Sequence, residues 1–330
     1  MGDIMQLYRL KICPISSFCS RLHSDTFFGA FCWSYKYLYS EQELEKLLQL
    51  SVNGTPQVVF SNAFPENALP LPMGIVNLKK DFLCCKTKQE GKVNYQLNKR
   101  LKKAEYITIS AFYNLVQEGF SKEKINVSEI ENSIVESNIV EYDVIRNMVS
   151  RDAGIVENQD GAGSLYAQTE YCCKPDTRLD VYIDSAIEEE KLKATLDLMF
   201  LLGIGGKKST GKGRFTVNSL ERIENFGNHE NANAYVLLSN YIPAKTDSSH
   251  GFYSTFVKNS VLDREFARRQ NPYKKPYLFV NSGAVFFLHT GKVQEVYGRC
   301  VAKVSEELPL VVESGYAIAI PIYVKEENNL

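Results

Sequence analysis

The chain has 330 residues, enough for two ordinary domains or one large one. Its 44% hydrophobic and 23% charged residues exclude a disordered protein, and no apolar run approaches the ~20 residues of a membrane span. A net charge of −1 excludes whole-molecule attraction to nucleic acid or membrane, so any electrostatic site must come from local patches.

The first predicted element is a strand: "MQLYRLKICPI" alternates apolar and polar residues from Met5 to Ile12. "RLHSDTFFGAFCWSYKYLYS" predicts a helix capped by Ser24 or Asp25, with a buried stripe of Phe28, Phe31, Cys32, Tyr35 and Leu38. The capping box Ser40-x-x-Glu43 opens a second helix through "LEKLLQL", and "PQVVFSNAFP" is the next strand. Residues 79–103 gather nine Lys and Arg against Asp81 and Glu90. Such a run is either a solvated face or a contact with nucleic acid or a partner.

"EYDVIRNMVSRDAGIVENQDGAGSLYAQTEYCC" predicts a strand, a long loop and a returning strand, and loops of that length are uncommon unless they bind something. After the strand "RLDVYIDS", Ser185 is expected to cap the helix "AIEEEKLKATLDLMFLLGIG", whose stripe is Leu192, Leu196, Met199 and Leu202. "RFTVNSL", "YVLLSNYIP", "LFVNSGAVFFLHT" and "YAIAIPIYV" supply further strands. This order predicts an α+β protein of two β-α-β-β-α-β units with antiparallel sheets. The expected domains are 1–145 and 146–330, the second holding a central hairpin or loop (146–170) and a glycine-rich loop (203–215).

The eight cysteines fall as two adjacent pairs, Cys84–Cys85 and Cys172–Cys173, plus Cys13, Cys19, Cys32 and Cys300. Without a C-x-x-C half-site they read as free thiols of a cytoplasmic protein rather than as a zinc site or a disulfide framework. No metal or cofactor is expected.

The glycine-rich loop "GIGGKKSTGKGRF" comes within one residue of the phosphate-binding pattern GxxxxGK[ST], with Gly213 where the metal-binding hydroxyl belongs. Its context is reversed. A P-loop leaves a strand and opens a helix, whereas this loop leaves a helix C-terminus, the negative end of the dipole, and enters a strand. Two uses remain for its five glycines, its lysines Lys207, Lys208 and Lys212, and Ser209, Thr210 and Arg214. It is a backbone that approaches a phosphodiester chain closely, or a helix C-cap followed by a solvated basic turn.

The segment "LLGIGGKKSTGKGRF" resembles the glycine-rich signature of the RAMP proteins, RNA-binding subunits of CRISPR systems. "HSDTFFGAFCWSYKYL", "FSNAFP", "LPLP", "LSNYIP", "NSGAVF" and "VVESGYAIAIPI" resemble the RAMP subunit four of the type III-A Csm effector complex. Two stretches depart from that family: "PISSFCS" stands where a small glycine-containing turn is usual, and residues 79–103 have no counterpart.

The resemblance implies two ferredoxin-like units and a non-catalytic subunit that holds the 5′ repeat-derived handle of the crRNA. It further implies a bridge between the large polymerase-domain subunit and the backbone RAMP filament, with no membrane partner. Lys207, Lys208, Lys212 and Arg214 would then contact phosphates. Ser209, with the backbone of Gly205, Gly206, Thr210, Gly211 and Gly213, would fix register. Arg21, His23 and Ser24 are expected on the same face, at the turn into the first helix, with Asp25 a cap rather than a ligand. Arg146, Arg151 and Tyr166 belong to an expected hairpin clamp, where Tyr166 is either a stacking platform or an ordinary exposed strand residue. Lys258, Arg264, Arg268 and Arg269 form a second candidate contact.

Two other classes stay open in the sequence. Some RAMP relatives are metal-independent endonucleases, and of His23, His229, His250 and His289 only His23 lies near the expected RNA face. The other is a protein-binding scaffold whose basic loops meet an acidic partner.

Overall fold

The computed structural model describes residues 5–74, 99–100, 103–118, 131–147, 165–224, 226, 231–288, 293–294 and 296–324. In chain order its elements are β1 (Gln6–Pro14), α1 (Ser24–Tyr39), α2 (Glu41–Val52), β2 (Val58–Pro65), β3 (Ala68–Pro70), β4 (Tyr106–Thr108), α3 (Ile109–Glu118), β5 (Ile134–Val135) and β6 (Ile139–Asn147). They continue with β7 (Leu165–Cys173), β8 (Leu179–Ser185), α4 (Glu189–Leu202), β9 (Phe215–Arg222), β10 (Ala234–Leu237), β11 (Gly251–Phe252) and β12 (Thr255–Lys258). The last are β13 (Tyr277–Val280), β14 (Val285–Phe287), β15 (Tyr297–Val301), β16 (Glu313–Ala317) and β17 (Ala319–Ile322).

β1 is the centre of the first sheet. Its alternation buries Tyr8, Leu10 and Ile12 on one face, where Phe27 and Phe31 of α1, Leu47 of α2, and Leu192, Leu196 and Met199 of α4 close over them. Each such side chain contributes about 1.5–3 kcal/mol when fully buried. The opposite face carries Arg9, whose guanidinium donates to the buried Asp180 at 2.5 Å and to Asn67 at 2.7 Å. The strand order is β2-β8-β1-β9, all antiparallel, with α1 and α2 between β1 and β2, and α4 between β8 and β9. The sheet therefore takes two strands from before residue 145 and two from after it, and spans the boundary expected there. Strands β3 to β7 are inserted between its second and third strands.

The second four-stranded sheet, order β11-β14-β10-β17, packs its Ala234, Val236, Val285, Ile320 and Ile322 against the back of the first sheet. The same core takes Phe112 and Val116 from α3. Among the described residues beyond α4 there is no α-helix, only 3-10 turns at Lys208–Thr210 and Arg264–Arg268. The second helix-bearing unit expected from the sequence thus differs in kind: the helix in this core, α3, comes from the insertion. "LFVNSGAVFFLHT" is two strands rather than one. Gly283, at φ 82°, turns the chain between β13, which pairs with β12, and β14, which pairs with β10 and β11.

Helix ends also differ from expectation. Residue His23 sits at the N-cap of α1 without a side-chain cap, while Ser24 and Asp25 are drawn into buried bonds described below. The buried stripe is Phe27, Phe28, Ala30, Phe31 and Ser34, and Leu38 is exposed. Ser40 Oγ accepts the Glu43 amide at 3.3 Å, as a capping box requires. Ser185 ends β8 instead of capping α4: its Oγ donates to Gln57 O at 3.2 Å and accepts the Ile187 amide at 3.0 Å, leaving Glu188 as the N-cap. Along α4, Thr195 and Phe200 are buried beside Leu192, Leu196 and Met199, with Leu202 half-buried.

Among the described residues, no helix is long and apolar enough to cross a membrane.

Candidate nucleic-acid interface

The glycine-rich loop leaves α4 at Gly203 and enters β9 at Phe215 as the sequence order demands. Its neck is closed by backbone bonds from Ile204 N to Gly213 O at 2.8 Å and from Gly213 N to Ser17 O at 2.9 Å. Gly213 has φ 71°, and a Cβ there would lie 2.0 Å from Ile204 O. Gly205, at φ 81°, lies so close to Ser20 that a Cβ would meet its Cβ at 2.7 Å. These glycines serve close approach of the chain to itself, and no side chain fits in either place.

"PISSFCS" fills the space between the loop and the β6–β7 hairpin. Ser16 Oγ accepts the Arg214 amide at 3.0 Å, and Ser20 Oγ accepts the Gly206 amide at 3.0 Å. Phe18 exchanges backbone bonds with Tyr171 of β7 at 2.8 and 3.0 Å and stacks on its ring, centroids 5.6 Å apart. Three small serines thus hold this turn, each by accepting an amide or offering a carbonyl.

Behind the loop stands Glu170, 1% exposed. It accepts from Lys212 Nζ at 2.6 Å, Arg146 at 2.5 Å, Ser17 Oγ at 3.0 Å, Tyr142 OH at 3.1 Å and Gln168 at 3.2 Å. Burial pushes this carboxyl up, yet the bonds from Lys212, Arg146, Ser17 and Tyr142 outweigh it and hold it at about 2. Lys212, expected at phosphate, and Arg146, expected in the hairpin clamp, both meet this internal carboxylate.

In front of the loop, a cleft of 1320 Å³ runs along α1. Arg21, His23, Gly205, Gly206, Lys207 and Lys208 all line it, so the structure brings together the N-terminal turn and the loop as expected. Lys207 is exposed in a left-handed conformation, φ 59°, and the amides of Gly205 and Lys207 find no acceptor among the described residues. Arg21 holds Tyr171 OH at 3.2 Å and Glu141 at 3.1 Å, an exposed pair worth about 0–1 kcal/mol and readily exchanged for phosphate.

The other candidates separate by partner. Lys208 is paired with Asp263, and burial draws its ammonium below the usual range. Ser24 is buried, its Oγ donating to Asn240 O at 3.1 Å and its amide to Asn62 at 2.9 Å, so it is a joint between the two sheets rather than an RNA contact. Asp25, expected as a cap, instead pairs with Lys258, which removes Lys258 from the second basic contact. Arg264 lies over the rings of Tyr37 and Trp33, at 5.3 and 5.8 Å. Arg268 and Arg269 remain exposed.

Burial, reinforced by Lys258 and Arg21, lowers His23 to about 3 and keeps its imidazole neutral, tilted against Phe256. His250 stacks on Phe287; His229 and His289 lie outside the described residues, as do Arg151 and most of 79–103. Ser209 and Gly211 are exposed at the loop tip, Thr210 Oγ1 donates to Lys207 O at 2.9 Å, and Arg214 donates to the α4 carbonyl of Leu201. Tyr166, 41% exposed, pairs across the hairpin with Arg146.

Sequence reasoning missed Glu170, Tyr142, Ser17 and Asp263. One signal was available for Glu170: in a hairpin pairing Tyr142 with Glu170 and Arg146 with Tyr166, all four share a face.

Residues 17–216, more than half of the chain, match the model of the RAMP superfamily. No curated protein sequence matches. Among solved structures, the chain resembles one in the crystal structure of a Csm3–Csm4 subcomplex of the type III-A CRISPR-Cas interference complex. The TM-score is 0.62 at 16% identity, covering 96% of this chain and 99% of that one. It also resembles one in the Csm1–Csm4 cassette crystallised with pppApA, at TM-score 0.58 and 17% identity, covering 98% and 100%. The same cassette with AMPPNP gives TM-score 0.58 and 18% identity over 98% and 100%. Csm4 is the component common to all three; at these identities the likeness is one of fold.

Proposed function

The chain belongs to the RAMP superfamily, and on that premise we propose that it is the Csm4-like, non-catalytic RNA-binding subunit of a type III-A CRISPR ribonucleoprotein. In this reading it holds the 5′ repeat-derived handle of the guide RNA and joins a large Csm1-like subunit to a Csm3-like filament. The supporting observation is the cleft mouth, where the Lys207 and Arg21 side chains meet the free amides of Gly205 and Lys207. An exposed cation, an exchangeable guanidinium and unpaired amides are the groups that position a phosphodiester chain without reading its bases.

The chemistry at this mouth favours binding over cutting. Cleavage at a 2′-hydroxyl needs a base for that proton and an acid for the leaving oxygen. With its pKa near 3, His23 carries no proton to give at neutral pH. Its charged neighbours, Lys258 and Arg21, are cations that keep it so. A purely protein-binding scaffold would not need the unpaired amides of the loop.

The test is assembly. Csm-type complexes reconstituted with the Arg21→Ala/Lys207→Ala variant should retain the large and filament subunits but carry several-fold less guide RNA than wild type. Normal guide RNA content would defeat the assignment. Neither substitution touches a buried ion pair, so a loss of RNA cannot be charged to unfolding. The same is not true of Lys208 or Lys212.

A further inference from the structure

Three separate stretches of chain converge on the two oxygens of Glu170. Segment 14–20 sends Ser17 Oγ, the hairpin sends Tyr142 OH and Arg146, and the glycine-rich loop sends Lys212. Lys212 Nζ also reaches Ser17 Oγ at 2.6 Å, so the donors brace one another as well as the carboxylate. Two cations and two hydroxyls around one point form an anion cup, and the protein has filled it with its own anion.

We propose that Glu170 is a positioning residue for RNA binding: it is the resident anion of this cup, it withholds Lys212 and Arg146 from phosphate, and it sets the glycine-rich loop so that only the opposite flank meets RNA. The inference rests on the RNA-binding reading above. Its logic is electrostatic and geometric. A phosphate entering the cup would meet a buried carboxylate of its own sign, and like charges in a poorly hydrated place repel strongly. The loop's neck is closed by the Gly213 amide on Ser17 O, and Ser17 is itself held by Glu170 and Lys212. Releasing the carboxylate therefore loosens the neck and frees two cations at once.

Salt dependence separates a phosphate contact from a positioning group, because each lost phosphate contact lowers the slope of log K against log salt by about 0.7 on a single strand. Binding of a single-stranded CRISPR repeat RNA would be measured across a salt series for wild type, Lys207→Ala, Lys212→Ala and Glu170→Gln. The expected pattern is a slope reduced by one contact in Lys207→Ala, weaker binding at unchanged slope in Lys212→Ala, and a steeper slope in Glu170→Gln. A Lys212→Ala slope that falls as Lys207→Ala does, or a Glu170→Gln slope equal to wild type, overturns the proposal. Amide hydrogen exchange supplies a readout that needs no RNA. In Glu170→Gln, exchange at Ile204 and Gly213 should speed by about tenfold or more, the loss of one charge-assisted bond, with exchange in β1 unchanged; unaltered exchange at the neck overturns it. If wild type binds no RNA at all, the functional reading fails, and the exchange result still decides the role of Glu170.

Discussion

On the rear flank of the glycine-rich loop, Lys212 and Arg146 share Glu170 at 2.6 and 2.5 Å; on the front flank, Lys207 stands exposed and Arg21 holds the exposed Glu141 and the Tyr171 hydroxyl. The sequence places the same residue types on both sides, the two lysines within a few positions of one another. What separates them is the neighbour each meets after folding. A lysine beside a buried carboxylate is part of the frame, whereas one beside unpaired amides is free to take a ligand. Counting cations in a glycine-rich loop therefore overstates how many of them are free of an internal partner.

The largest effect should come from the neck that both flanks share. Gly213→Val forces a β-branched residue to φ 71° with its Cβ 2.0 Å from Ile204 O, and should cost about 3 kcal/mol or more in urea unfolding. Gly211→Ala is the control: at φ 83° with nothing within 4 Å, it should cost only about 1–2 kcal/mol. Equal costs at the two glycines would mean that the neck is not closed as described.

Next comes the rear flank. Glu170→Ala strands two cations that are partly solvated, and should cost about 2 kcal/mol rather than the larger penalty of a fully buried pair. The pH dependence has a definite sign. Because the folded pKa of Glu170, about 2, lies below the ordinary value near 4.3, its stabilisation is complete above that value and is lost as pH falls towards 2. Wild type should therefore lose more stability between about pH 5 and 3 than Glu170→Gln does, and parallel curves would place the carboxylate outside the network.

The smallest effect sharpens the contrast from the front. Lys207→Ala should leave unfolding within about 0.5 kcal/mol of wild type while weakening RNA binding by roughly 1 kcal/mol, or about fivefold. A stability loss as large as that of Glu170→Ala would erase the difference between the flanks.

Much of this was legible in the sequence where periodicity is local. The alternation of β1, the heptad-like stripe of α4 and the helix-to-strand order that excludes a P-loop are all set by residues within a turn or two of each other. The N-terminal turn and the glycine-rich loop were expected on one face, and they line one cleft. The ion pairs were not legible, since Lys212 meets Glu170 across 42 positions and Lys258 meets Asp25 across 233. Nothing local marks such a partner, and five expected contacts, Ser24, Arg146, Lys208, Lys212 and Lys258, meet partners distant in the sequence. The second sheet is the other case: its helical cover comes from α3, in an insertion with no repeat to announce it.

The most direct test of the account is a single gel experiment on the purified chain with 5′-labelled repeat–spacer RNA in EDTA, run native and denaturing for wild type and Arg21→Ala/Lys207→Ala. The account predicts intact RNA in both lanes of the denaturing gel, shifted by wild type and shifted far less by the variant. A discrete metal-independent cut, or equal shifts by both proteins, would contradict it.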